Sequence, residues 1–147
     1  MTKCSEVMTR EPVCCEPGDP VSRVADKMRQ HDVGSLPVVD SHSSKRLVGI
    51  VTDRDLVTKV VANHRNVESA TVGDAMTPNP ASVRESDEVE RAMSLMAERQ
   101  VRRMPVVDES GRLSGIIAQA DVATRIQRDK TTGQLVEAIS ESPTVRQ

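Results

Sequence analysis

The sequence is a tandem repeat. Shifted against itself by 68 positions, it gives 12 identities over the 33 positions from 8 to 40, including Pro-Val-Val-Asp at 37–40 and 105–108. From Arg46 onward a shift of 66 continues the match, because the first copy carries two extra residues in its 41–45 turn. Such self-similarity indicates two copies of one folding unit of roughly 55–60 residues. Any architecture for the chain must therefore be built from two similar halves.

Each copy has the pattern of a β-α-β-β-α unit. Asp19 and Asp87 are predicted helix N-caps, with Pro20 at the first helical position of one copy and Glu90 completing a capping box in the other. Apolar residues then recur at helical spacing over 21–28 and 89–96. Strands are predicted at 36–40 and 104–108 and at 46–51 and 112–117, and a second helix follows at about residue 52 or 118.

The repeats define the predicted domain organisation. The first copy spans 3–61, a polar and exposed linker spans 62–70, the second copy spans 71–126, and a tail at 127–147 is expected to hold a short helix. One copy alone would bury too little apolar surface to be stable. We therefore expect an α/β fold in which the two repeats pack sheet to sheet as a pseudo-twofold module with two related clefts.

Composition disfavours several classes of protein. Phe, Tyr and Trp are absent and the net charge is −2, which disfavours nucleic-acid binding. Apolar runs stay well short of the ~20 residues of a membrane span. Three cysteines, Cys4, Cys14 and Cys15, are too few for a disulfide framework, and the three histidines lack metal-ligand spacing. We expect a cytoplasmic protein with no membrane segment and no metal site.

The most informative polar residues follow the second strand of the first copy. Thr52 is a suitable N-cap, and Asp55 complements the positive end of a helix, so one interpretation is purely structural. The same geometry also suits a nucleotide. Thr52 and Arg54 are phosphate donors at a helix N-terminus, and the Asp55 carboxylate can accept hydrogen bonds from two sugar hydroxyls.

The second copy retains only part of this set. Asp121 remains, but Ala118 and Ala120 replace the threonine and the arginine. The adjacent pair Arg102 and Arg103 either restores positive charge or begins a solvated strand. Neither copy contains a His-activated nucleophile or a Gly-rich phosphate loop. We therefore do not expect an enzyme.

Three motifs occur in the same order in both copies: Met-Thr-x-x-Pro, Pro-Val-Val-Asp after Leu or Met, and Gly-Ile-Val/Ile-x-x-x-Asp. Together they resemble the CBS domain, named for cystathionine β-synthase, and two in tandem resemble a Bateman module over about residues 3–126. The resemblance implies binding of an adenosine derivative (AMP, ADP, ATP or S-adenosylmethionine). It also implies regulation without catalysis, and dimerisation.

The resemblance further implies two ligand sites, each lined on its adenine side by the opening segment of the other repeat. The first would contain Thr52, Arg54 and Asp55 at the phosphate–ribose end, with Thr77, Ala81, Ser82 and Val101. The second would contain Asp121 with Arg103 near the phosphates, and Thr9, Val13, Cys14 and Val33. The hydroxyl usual in the family is missing at Ala118, and Cys14 stands where Thr or Ser is more usual. The second site is therefore expected to be weak, empty or altered in preference.

Two functional hypotheses follow. In the first, the chain is a homodimeric sensor with an adenosine nucleotide as regulatory ligand, not as catalytic cofactor, and it signals to an effector protein of unknown identity. In the second, it is a structural dimerisation or scaffold module with vestigial clefts. Ala118 and Ala120 favour the second hypothesis for one cleft, whereas Thr52, Arg54 and Asp55 favour the first for the other.

Overall fold

A computed structural model of the chain describes residues 1–125. The first repeat comprises α1 (Cys4–Val7), β1 (Thr9–Arg10), α2 (Val21–His31), β2 (Ser35–Val39), β3 (Leu47–Thr52) and α3 (Asp53–Asp55), which continues as a π-helix (Leu56–Val61). The second comprises α4 (Val72–Ala75), β4 (Thr77–Pro78), β5 (Val83–Arg84), α5 (Val89–Arg99), β6 (Arg103–Val107), β7 (Leu113–Ala118) and α6, helical over residues 119–125. The predicted α/β repeats are confirmed, with strands displaced by about one residue. The expected tail helix lies outside the described residues.

The chain forms two structural units that do not coincide with the two repeats. Unit 1 contains Met1–Arg10, Ser82–Val106 and residues 115–125, and unit 2 contains Glu11–Ala81 with Val107–Ser114. Each unit is therefore built mainly from one repeat but includes an opening segment of the other: β1 lies in unit 1 and β4 in unit 2.

Unit 2 is organised around a three-stranded antiparallel sheet in the order β2-β3-β4. Gly49 of β3 lies opposite Pro78 of β4, and a Cβ atom on Gly49 would come within 3.1 Å of the Thr77 carbonyl oxygen. A glycine at this position lets the two strands approach closely. The core is formed by residues of α2, the sheet, the π-helix and α4, together with Cys15 and Ala70 from connecting segments: Cys15, Val21, Val24, Met28, Leu36, Val38, Val51, Val60, Ala70, Val72 and Ala75.

The tip of the β6–β7 hairpin also belongs to unit 2. Leu47 N–H donates to the Gly111 carbonyl over 3.2 Å, and Leu113 N–H donates to the Lys45 carbonyl over 2.7 Å. Leu113 packs with Cys14 in a small buried cluster that also includes Val39. Two hairpin turns at equivalent positions of the repeats therefore meet within one unit.

Unit 1 contains the β1-β7-β6-β5 sheet, without the hairpin tip. Thr9 lies opposite Ile116, the counterpart of the Ile50–Thr77 pair of unit 2. A Cβ atom on Gly115 would come within 2.9 Å of the Thr9 carbonyl oxygen. The close approach of two strands seen at Gly49 therefore recurs at Gly115, its counterpart in the second repeat. Buried side chains include Cys4, Met8, Val83, Val89, Ala92, Met96, Met104, Val106, Ile116, Ile117 and Val122.

The predicted helix caps in front of α2 and α5 are wrong. Asp19 lies one residue before the observed N-cap, Pro20, and its carboxylate accepts a hydrogen bond from Glu16 N–H over 3.0 Å. Asp87 accepts from the N–H three residues before it in the same way, so no capping box with Glu90 forms. Both aspartates stabilise the turn that enters the helix, because a short carboxylate can bond either adjoining backbone segment.

The predicted linker is exposed over residues 62–69 but not at its last residue. Ala70 is almost completely buried in the core of unit 2. Its carbonyl accepts a hydrogen bond from Val21 N–H over 2.9 Å, at the start of α2. The expectation of an exposed Ala70 is therefore wrong, since this small side chain fits where the linker rejoins the folded unit.

Candidate functional site

The Thr52–Asp55 segment forms a complete capping box. Asp55 N–H donates to Thr52 Oγ1 over 3.0 Å, and Thr52 N–H donates to Asp55 Oδ2 over 3.0 Å. Each side chain thus satisfies a backbone donor that the start of α3 would otherwise leave unpaired. The helix cap proposed on spacing is confirmed, and the same bonds fix the position of the Asp55 carboxylate.

Lys59 adds a cation to the site that was not among the residues predicted from the sequence. Its Nζ lies 3.2 Å from Asp55 Oδ1 and donates to the Ala75 carbonyl over 3.0 Å. The side chain of Asp55 is 13% exposed and that of Lys59 is 42% exposed. The i,i+4 spacing of an acid before a base was a signal in the sequence that could have identified this pair.

Arg54 and Asp53 lie at the outer side of the helix start, and both are exposed. Asp53 N–H donates to the Gly34 carbonyl over 2.8 Å, which ties the start of α3 to the residue before β2. Arg54 N–H donates to Asp53 Oδ1 over 2.8 Å. Arg54 is therefore an exposed residue at a helix start, where a guanidinium can reach an anionic group.

The opening segment of the second repeat lies in the same unit as this helix start. Thr77 is exposed on β4 and pairs with Ile50, two residues before Thr52. Ala81, the last residue of the segment that unit 2 includes, is half-buried. Unit 2 thus contains five of the residues predicted for the first site, whereas Ser82 and the exposed Val101 belong to unit 1.

The residues predicted for the second site are also divided between the units. Thr9, Arg103 and Asp121 belong to unit 1, and Thr9 and Asp121 are exposed. The start of α6 repeats the geometry of α3, since Gln119 N–H donates to the Arg102 carbonyl over 2.8 Å. Ala118 supplies no hydroxyl, so the capping box of the first repeat cannot form here.

Arg103 has a feature that the sequence could not show. Its Nε is buried and has no hydrogen-bond partner within residues 1–125. A buried guanidinium N–H without an acceptor is unusual in a folded protein. An anion beside Arg103 would satisfy it, in keeping with the phosphate role that the resemblance implies for this residue.

The remaining residues of the second predicted set, Val13, Cys14 and Val33, belong to unit 2. Val13 and Val33 are half-buried and pack against the main core, and Cys14 is buried in the smaller cluster. Burial raises the pKa of the Cys14 thiol. Its Sγ lies 3.8 Å from His42 Nδ1, and Glu16 Oε2 lies 3.6 Å from the other ring nitrogen of His42.

Over residues 1–125, no three His, Cys, Asp or Glu side chains are grouped as ligands for a metal ion. Within the same residues, every helix is too short or too polar to cross a bilayer.

Comparison with known proteins identifies the family. The CBS domain profile matches residues 4–62 and 72–128, which together make up most of the chain. The chain belongs to the CBS domain family. Hypoxic response protein 1 of Mycobacterium tuberculosis is 33% identical over 139 residues, covering 95% of this chain and 94% of that protein. Its crystal structure, which contains two coordinated zinc ions, has a TM-score of 0.76 and covers 84% of this chain and 98% of that one.

Two similar CBS pairs have been solved with adenosine compounds. CBSX2 of Arabidopsis thaliana in complex with AMP is 31% identical, with a TM-score of 0.75 and coverage of 88% of this chain and 99% of that one. The CBS pair of protein MJ0100 in complex with 5′-methylthioadenosine and S-adenosyl-L-methionine is 25% identical, with the same TM-score of 0.75 and the same coverage of 88% and 99%.

Proposed function

We propose that this CBS pair is a cytoplasmic regulatory module. It binds an adenosine derivative (AMP, ADP, ATP or S-adenosylmethionine) and passes the signal to a partner protein as a homodimer. The observation that carries the proposal is the Thr52–Asp55 capping box, which shares one unit with the opening segment of the second repeat. The complexes of CBSX2 with AMP and of the MJ0100 pair with S-adenosyl-L-methionine support this ligand class.

Each residue of the site has a distinct role in the proposal. The Asp55 carboxylate accepts two hydrogen bonds in the structure, and a carboxylate has about four acceptor positions, which leaves room for the two hydroxyls of a ribose. Arg54 and the Thr52 hydroxyl serve the phosphates. Thr77 and Ala81 line the adenine side, so the ligand contacts both repeats.

Regulation follows from that double contact. A ligand that touches residues from two repeats favours the arrangement of the chain in which both sets are in place. It shifts the population only to the extent that it binds one arrangement more tightly than another. The proposed output is therefore a ligand-dependent change in affinity for the partner protein.

The three cysteines are poor candidates for a catalytic nucleophile. Burial raises the pKa of the Cys4 thiol to about 11 and that of Cys15 to about 12. Burial also raises the pKa of Cys14 above its usual range. These thiols stay protonated at neutral pH, and a protonated thiol is a poor nucleophile. The proposed binding role therefore involves no chemistry at a thiol.

Thermal unfolding with each ligand tests the proposal. A ligand at about 1 mM with a dissociation constant of about 10 μM adds about 2.7 kcal/mol to the free energy of unfolding. Far-ultraviolet circular dichroism is the suitable signal because the chain has no aromatic side chains. If none of the four adenosine compounds raises the unfolding temperature, the proposal is wrong. Native mass spectrometry of the same sample reports the number of subunits and any adenosine compound that copurifies.

The alternative function is a structural scaffold, which is favoured by Ala118 and Ala120, because they leave the second repeat without the threonine and the arginine of the first. Asp55→Ala would destroy the cap as well as the ribose contact, so this variant cannot separate the two functions. Asp55→Asn is sharper, because the amide oxygen still accepts from Thr52 N–H while the charge and one acceptor oxygen are lost. If the chain binds a ligand, the ligand raises the unfolding temperature of the wild type but not that of Asp55→Asn, which still folds. If the chain is a scaffold, the ligand raises the unfolding temperature of neither protein.

Arg54 allows the phosphate contact to be tested separately. We expect Arg54→Gln to weaken AMP by about tenfold, since hydrogen bonds to charged groups contribute about 1.5–3 kcal/mol. Adenosine, which has no phosphate, should lose much less. Arg29→Gln removes the same charge from an exposed ion pair with Asp26 and is the matched control. Equal losses for AMP and adenosine in Arg54→Gln would contradict the assigned role.

A further inference from the structure

Lys59 differs from an ordinary surface lysine in having two partners on different elements. One is Asp55 in the preceding turn of its own helix, at 3.2 Å, and the other is the Ala75 carbonyl at the end of α4, at 3.0 Å. An exposed i,i+4 ion pair alone would leave the ammonium mobile and contribute little. The second bond ties Lys59 to the segment that leads into β4, so the position of its ammonium is fixed from two directions.

The two partners leave part of the bonding capacity of the pair unused. An ammonium has three N–H donors, of which Lys59 uses two within the part of the chain that the structure describes. Its side chain is 42% exposed, so the third donor is accessible from solvent. Asp55 Oδ1, beside it, accepts from Lys59 and retains a second acceptor position. A donor and an acceptor thus lie side by side in fixed positions.

This arrangement suits one chemical group in particular. A hydroxyl can both donate and accept hydrogen bonds. It can therefore donate one to Asp55 Oδ1 and accept one from the third N–H of Lys59. A neighbouring hydroxyl can then donate to Asp55 Oδ2. A vicinal diol therefore satisfies both side chains, whereas a deoxy sugar leaves a charged donor and acceptor partly unpaired, which binding sites penalise strongly.

We propose that Lys59 is the specificity-determining residue of the sugar end of the site. It binds the ribose diol together with Asp55 and makes the site select ribonucleotides over 2′-deoxyribonucleotides. This inference rests on the proposed function. Through Ala75, the same lysine connects occupancy of the sugar site to α4 and the second repeat.

The test measures the dissociation constants of AMP and 2′-deoxy-AMP by isothermal titration calorimetry. We expect the wild-type chain to prefer AMP by at least about tenfold, the usual effect of one hydrogen bond between a hydroxyl and a charged group. In Lys59→Met, AMP weakens by about tenfold, and the ratio of the two constants falls by about threefold or more because 2′-deoxy-AMP loses less. Arg29→Met removes one positive charge from a fully separate exposed pair and should leave both constants unchanged.

The possible outcomes separate the two proposals. If the wild-type chain binds none of AMP, ADP, ATP and S-adenosylmethionine, the proposed function fails and this inference falls with it. If it binds AMP and 2′-deoxy-AMP equally well, ribose selectivity is wrong even though nucleotide binding is right. If Lys59→Met retains the wild-type ratio, or binds AMP more tightly because a competing cation has been removed, Lys59 is not a ligand contact. The wild-type ratio alone can overturn the inference should Lys59→Met fail to fold.

Discussion

Replacement of Thr52 by alanine isolates the contribution of one hydroxyl to the capping box. The Asp55 N–H donates to Thr52 Oγ1 over 3.0 Å and loses its partner in the variant, while the Thr52 N–H keeps its bond to the Asp55 carboxylate. Loss of an N-cap hydroxyl costs about 1 kcal/mol. With a urea m-value of about 2 kcal/mol/M, the unfolding midpoint should fall by about 0.5 M.

The assay is urea unfolding followed by far-ultraviolet circular dichroism. Thr52→Ser keeps the oxygen and is the matched control, with an expected midpoint close to wild type. The reasoning is refuted if Thr52→Ala unfolds at the wild-type urea concentration. It is also refuted if Thr52→Ser loses as much stability as Thr52→Ala, since the methyl group would then carry the effect.

The second repeat offers the reciprocal experiment. Ala118 occupies the position of Thr52, and Asp121 lies three residues later, as Asp55 does in the first repeat. Ala118→Thr supplies the missing hydroxyl at the start of α6 and should raise the free energy of unfolding by about 0.5 kcal/mol or more. Asp121→Ala in the Ala118→Thr background should lose part of that gain, because a capping box needs both side chains. A gain that is independent of Asp121 would contradict the capping explanation.

Two further predictions concern close packing and buried thiols. Gly115→Ala should cost about 1–3 kcal/mol in urea unfolding, because its Cβ would lie 2.9 Å from a backbone oxygen, whereas Gly18→Ala has nothing within 4 Å and should be neutral. Unfolded thiols ionise above about pH 9, while Cys4 and Cys15 stay protonated in the folded chain to about pH 11 and 12. The unfolded state therefore loses protons first, and each thiol lowers stability as pH rises from about 9 to its folded pKa, by about 1.4 kcal/mol per pH unit for Cys15. Cys15→Ala should flatten this alkaline decline, and an unchanged slope would contradict it.

The order of helices and strands could be predicted because the same pattern occurs in both repeats of the sequence. Two copies of the same apolar spacing fix helices and strands more firmly than either copy alone, and Pro-Val-Val-Asp marks the same strand in both. The Thr52 cap was predictable for a similar reason, since threonine followed three residues later by an acid is a local signal. Such signals involve residues within one helical turn of each other, so the sequence alone shows them.

The errors and omissions have a common physical origin. Asp19 satisfied the pattern of an N-cap, but its carboxylate bonds the turn before the helix, and spacing cannot decide between two equally near backbone donors. Ala70 ends a polar linker, but residues far from it in sequence bury its side chain. The contact of Lys59 with Ala75 joins residues 16 positions apart in sequence. The π-helix after α3 has no sequence signature, since one-residue shifts in hydrogen bonding follow from packing.

Each structural unit includes the opening segment of the other repeat, β1 in unit 1 and β4 in unit 2. This arrangement predicts which fragments of the chain can fold alone. The core of unit 2 includes Ala70, Val72 and Ala75, and β3 is paired on one side by β4. A fragment of residues 1–61, the first repeat as read from the sequence, lacks all of these and exposes the edge of β3. A fragment of residues 11–81 keeps them. Large-to-small losses in a core cost about 2–5 kcal/mol each, comparable to the whole stability of a small domain.

We therefore expect residues 11–81 to show cooperative urea unfolding by circular dichroism, and residues 1–61 to show none. The longer fragment 1–81 is the matched control, because it restores β4 while keeping the same N-terminus as the unfolded fragment. Cooperative unfolding of 1–61 would mean that a sequence repeat is also a folding unit. The recovery of folding in 1–81 would instead locate the missing stability in residues 62–81, the segment that brings the second repeat into contact with Gly49, Ile50 and Lys59.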